Sequence, residues 1–259
     1  MTAPAHPLVP AARPAGPRRP QWLVVAASSC AAHLAVGAIA LGIGVLLAAV
    51  VLAAQAVFWS VDGSFVVSLA SLQHGIPFVL ALTLVRQHMF TFVPQGATRP
   101  AVVAGNLASA PVAGLVWAAA GTALLALEAL AFRLADWQHV APDAEELGSW
   151  ERGWWFVLLV TAVNATVVTL GGQVVGALFH RFHGDATLLA VLLTVPAVAV
   201  LVATVAFGTG YDLRGRALGG LQPGDPGAWV GPVVVVAAVA CLAVALALVL
   251  RGAPARSRP

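Results

Sequence analysis

Few residues in this chain are of a type that does chemistry, and most of them lie in apolar surroundings. Glu128 sits in the run Leu124–Phe132, where a bare carboxylate is expensive unless it meets a partner. It can contact a proton or a cation, or it can pair with Arg133 or Arg152 near the membrane interface. Gln73 and His74 precede Gly75 and Pro77. They either line a polar pathway or satisfy the backbone groups that a proline frees in a helix. Asn106, Asn164 and Gln173 read as hydrogen-bonding groups between helices. Gly172 and Gly176 form a GxxxG, the spacing that lets two helix backbones approach closely.

Other chemistry is excluded or weakly supported. All 13 basic residues are Arg, so no Walker A loop and no Schiff-base lysine is present. His180 and His183 flank Arg181 at a spacing that can seat a metal, but no carboxylate or Cys completes a set. A charged helix cap is the simpler reading. Cys30 and Cys241 are far apart in apolar segments and read as buried, inert thiols. There is no Ser-His-Asp set, no paired carboxylates and no HExxH, and the chain is expected to be no enzyme and to bind no metal.

The elements that carry these residues follow from composition. Of 259 residues, 60% are hydrophobic and 9% charged, and the mean hydropathy is +0.93. Soluble domains carry about 25% charged residues, so this composition cannot build a water-facing surface. The reading is an all-α integral membrane protein. Apolar blocks at 33–59, 65–86, 102–132, 154–179, 187–207 and 229–250 predict six transmembrane helices. The first block, counted from Gln21, is long enough to be one helix, an interfacial segment plus a span, or two short spans. Residues 1–20 hold six prolines and three Arg and read as a disordered tail, and 251–259 as a basic one.

Charge sets the orientation. With the N-terminus inside, nine Arg (13, 18, 19, 86, 99, 181, 251, 256 and 258) face one acid, Asp185, on the cytoplasmic side. Four Arg and nine acids lie on the other. The excess of Arg is the asymmetry that insertion reads, and it puts both termini in the cytoplasm. Trp59, Trp137, Trp150, Trp154, Trp155 and Trp229 all fall at the outer boundary, as an interfacial belt does. The Arg residues flank spans and form no basic face with interleaved aromatics, so no nucleic-acid partner is expected.

The most informative stretch is the inner loop after the second span, residues 86–106. It reads Gln95-Gly96-Ala97-Thr98-Arg99, then Val103-Ala104-Gly105-Asn106. Leu127-Glu128 follows late in span three, and Gly176-Ala177-Leu178-Phe179-His180-Arg181-Phe182 closes span four. In this layout the chain resembles the permease subunits of type-2 ABC exporters, especially short actinobacterial six-span members. Their loop phrase "slGvTRR" is matched through Thr98-Arg99, with Pro100 in place of the second Arg. Their outer TGGWG is replaced by Glu146-Leu147-Gly148-Ser149-Trp150.

The resemblance implies a permease of the cytoplasmic membrane, surrounded by lipid and paired with a second permease subunit. Two separate ABC ATPase subunits would drive it, with ATP and Mg bound there and no cofactor on this chain. Gly96, Thr98, Arg99 and Arg86 would form the ATPase-coupling loop, 86–101, built around a short coupling helix. The competing class is a non-transporting polytopic membrane protein, an anchor or assembly partner of another complex.

Overall fold

The computed structural model describes residues 20–58, 70–135, 154–182 and 230–251. Five helices account for them: α1 (Gln21–Phe58), α2 (Ala70–Phe92), α3 (Arg99–Leu134), α4 (Trp154–Arg181) and α5 (Val230–Arg251). No strand occurs among the described residues. The span expected at 187–207, both expected tails up to residue 19 and beyond 251, and residues 59–69, 136–153, 183–186 and 208–229 lie outside them.

Four stretches are long and apolar enough to cross a membrane: Gln21–Ala54, Gly75–Phe92, Arg99–Leu134 and Leu158–Arg181. A fifth, Val236–Arg251, is apolar but shorter. The first block proves to be one continuous helix of 38 residues. At the helical rise that is about 57 Å, well beyond a hydrocarbon core of roughly 30 Å.

Each helix buries a stripe and exposes large apolar side chains on the rest of its surface. On α1 the buried stripe runs Val25, Ser29, His33, Gly37, Gly44, Ala48, Leu52, at steps of four and seven that keep to one face. Leu34, Ile39, Ile43, Leu46 and Val50 point outward and are exposed. Such a face is an aggregation liability in water and ordinary in hydrocarbon. α1 packs chiefly on α3, and α3 in turn on α4. α4 is the centre of the bundle, buried almost all round from Ala162 to Leu178, with α2 and α5 also against it.

α2 and α4 approach each other closely at two glycines. A methyl group at Gly172 would collide with the carbonyl oxygen of Phe78, and one at Gly176 with that of Leu82. The two glycines of the GxxxG therefore set the α2–α4 separation.

One end of the bundle is tied together by contacts between helix termini. Gln21, opening α1, bonds the turn between α2 and α3. His180, near the end of α4, stands edge-on to Phe90, near the end of α2, with centroids 4.9 Å apart. Arg181 Nη1 donates to the carbonyls of Leu248 (3.4 Å) and Val249 (3.5 Å), in the last turn of α5. A cation there satisfies orphan carbonyls and complements the negative end of the helix dipole. Arg86, Arg99, Arg181 and Arg251 all lie at or within two turns of this end, where the described residues include no acid. The opposite end carries Arg133 and Glu128. The apolar core gathers in the arginine-bearing half, from Val25, Val85 and Met89 to Leu178, Leu246 and Leu250.

Candidate functional site

Two sets of polar residues stand out in this frame, a turn at the arginine end and a buried seam beneath it.

The turn departs from the expected coupling loop. Residues 86–92 continue α2, residues 93–98 form a tight turn, and α3 begins at Arg99. No separate short helix lies between them. The cause is amphipathicity: Arg86 and Gln87 are exposed while His88 and Met89 are buried, so the last turns of α2 stay packed on the bundle. Gly96 adopts φ +94°, a left-handed conformation that suits glycine, and its N–H donates to Val93 O at 3.0 Å. Thr98 is the N-cap of α3; its Oγ1 accepts from the N–H of Ala101 at 3.3 Å. Pro100 sits in the first turn, where its missing N–H costs nothing.

The side-chain amide of Gln21 closes the turn from 75 residues away. Its Nε2 donates to Gly96 O and its Oε1 accepts from Thr98 N, both at 3.1 Å. This amide pairs with the turn as a second backbone would, so α1, α2 and α3 share one fastened corner. Arg99 is half-buried at the first position of α3 and Arg86 is exposed. A cation opposes the positive end of the helix dipole, so Arg99 is unfavourable for α3 itself. Its presence there needs another reason.

The seam lies between α1, α2, α3 and α4. Asn106, wholly buried, directs its Nδ2 to Val102 O at 2.9 Å and its Oδ1 to Nδ1 of His88 at 3.1 Å. Gln173 Nε2 reaches from α4 to Asn106 O at 3.1 Å. Ser109 Oγ bonds both Asn106 O (2.8 Å) and Ser29 Oγ (3.0 Å) on α1. Two turns along α3, Trp117 Nε1 donates to His33 Nδ1 at 3.1 Å. These links run between helices and hold α1 in register against α3.

The other anticipated residues fall in different places. Glu128 is buried on the inward face of α3, 22 positions beyond Asn106, or about 33 Å along the helix. Asn164 is buried on α4, and its Oδ1 has no hydrogen-bond partner among the described residues. Gln73 and His74 belong to the first turn of α2, which continues through Pro77, and their side chains lie outside the described structure. The bundle does not bring Glu128 to the seam. His180 is a buried ring against Phe90, and Arg181 reaches the end of α5. His183 and Arg152 lie outside the described residues. The cysteines are not buried thiols either. Cys241 is exposed and Cys30 half-exposed, because both fall on outward faces of apolar helices.

His33, His88, Trp117, Ser29 and Ser109 escape the sequence reading. Ser29 and His33 are the polar residues at a four-residue step inside the apolar run of α1, and that step is the available signal. His88 lies beyond Arg86, the charge that marks the expected end of the span.

An apolar groove of about 290 Å³ opens between α1 and α3, above the seam. Val36, Ala40, Gly44 and Leu47 line one wall, Trp117 and Leu124 the other. Compared with protein-family models, with curated proteins and with solved structures, the chain finds no match.

Proposed function

We propose that the chain is the membrane permease subunit of an ABC-type exporter, with the turn 93–98 and Arg99 as its contact with a separate ATPase. The observation that carries this reading is the fastened turn at the arginine end. A rigid knob, clamped to α1 by Gln21 and continuous with α2 and α3, passes a push to three helices together. Arg99 offers guanidinium donors to an acidic groove at the cost of opposing the dipole of its own helix. The loop phrase Gly96-Ala97-Thr98-Arg99 adds the resemblance already noted.

The same reading has six spans with both termini cytoplasmic in the plasma membrane. Its support is that α4 and α5 both end at the arginine face. An odd number of crossings between residues 182 and 230 fits that placement, and 187–207 has the composition for one. Two such subunits in lipid would form the pathway, and ATP with Mg would bind only to the partner chains.

The test is recovery of an ATPase encoded beside this chain with the purified protein, wild type against Arg99→Glu. Glutamate at the first helical position favours the dipole, so the fold is not the casualty. Charge reversal in a partly desolvated contact costs several kcal/mol, and recovery should fall sharply. Equal recovery with unchanged insertion removes the coupling role and leaves a non-transporting membrane protein as the reading.

A further inference from the structure

The hydrogen bonds of the seam fix the tautomers of two buried histidines, and fix them oppositely. An indole N–H can only donate, so His33 Nδ1, which receives it from Trp117, carries no hydrogen. In the neutral ring the proton is then on Nε2. Asn106 is oriented by its Nδ2 bond to Val102 O, so the oxygen is the atom that meets His88. His88 Nδ1 must donate to it, which leaves a bare lone pair on His88 Nε2.

Both Nε2 atoms are buried and have no partner among the described residues. One is a donor and the other an acceptor. The rings belong to neighbouring helices and flank one chain of bonds: Ser29, one turn before His33, meets Ser109, which bonds the carbonyl of the Asn106 that holds His88. Gln173 Oε1, on the same network, is a third buried acceptor with no partner among the described residues. Polar atoms left unmet inside a bundle are costly, and a polar interior gap is where a buried water binds.

We infer that the bundle binds one water molecule between His33 and His88, accepting from His33 Nε2–H and donating to His88 Nε2. Its second hydrogen has Gln173 Oε1 available. A metal ion is a poor occupant of this place: coordination at His33 Nε2 would move its proton to Nδ1 and break the Trp117 bond. The water joins α1 to α2, a pair that shares few other contacts, and completes a polar path from α1 to α4.

The test uses the full chain in lipid nanodiscs with ¹⁵N-labelled histidine, its seven histidines assigned by single substitutions. At neutral pH the expected spectrum shows His33 as the Nε2–H tautomer and His88 as the Nδ1–H tautomer. The Hε2 proton of His33 should show a cross-peak to water, lost in His88→Phe. Matching tautomers, a charged ring, a direct His33–His88 nitrogen coupling or no water cross-peak would overturn the inference. So would a cross-peak that survives unchanged in His88→Phe. Should that variant not fold, the wild-type tautomers and cross-peak decide alone.

Discussion

Trp117 and His33 meet across the α1–α3 interface through one hydrogen bond of 3.1 Å, indole N–H to Nδ1. It joins a helix that packs mainly on one neighbour to the interior of the bundle. Replacing Trp117 with Phe keeps an aromatic ring and removes the donor. The buried Nδ1 is then unmet, at a cost of about 1–3 kcal/mol. Thermal unfolding in detergent should show the loss, and the His33 ring should no longer be held in one tautomer.

Gly172 and Gly176 should tolerate replacement poorly. A Cβ at either position meets a main-chain carbonyl of α2, which cannot rotate away. Gly176→Ala should therefore destabilise by about 1–3 kcal/mol, with Gly176→Val worse. Gly42→Ala is the control, because nothing lies within 4 Å of the added carbon. Melting temperature after purification separates the two, and equal effects would contradict the packing.

Gly96→Ala forces an L side chain into φ +94°, costing about 1 kcal/mol in a turn with no steric obstacle nearby. Asn tolerates this region better and should lose less. Gln21→Leu should loosen the same turn by removing both clamp bonds. Amide hydrogen exchange at residues 96–98 should rise in Gln21→Leu while the rest of α3 is unchanged.

Arg181→Ala should act at a distance in sequence. The carbonyls left without this donor belong to the last turn of α5, so exchange should rise at residues 246–251 with little global effect, about 1 kcal/mol or less. A purely local change around residue 181 would show that these long contacts hold nothing.

Single cysteines at positions 20, 143 and 255, with Cys30 and Cys241 changed to Ser, test the six-span topology. Positions 20 and 255 should label from the cytoplasmic side and 143 from the other. Cytoplasmic labelling of 143 would sink the arrangement.

Much of the helical layout was legible because long apolar runs have few alternatives. Thr98 and Gly96 were also readable, since capping and left-handed turns depend on residue type within a few positions. The seam was not. His33 looks like a stray polar residue in an apolar run until α3 brings Trp117 beside it, and that meeting depends on a register between helices 84 residues apart. The end of α2 was misplaced for a related reason. Arg86 marks a boundary by charge alone, but His88 and Met89 keep the helix inside by packing.

The Gln21 clamp bears on how the protein is made. The first helix leaves the ribosome long before Gly96 and Thr98 exist, so its opening residue must wait for two later helices before its amide can engage. Insertion of α1 and its final seating are therefore separate events. A chain arrested before α3 begins should hold α1 in the membrane yet leave it free to slide, and a cross-link from residue 21 to residue 96 would report when biogenesis of this corner is finished.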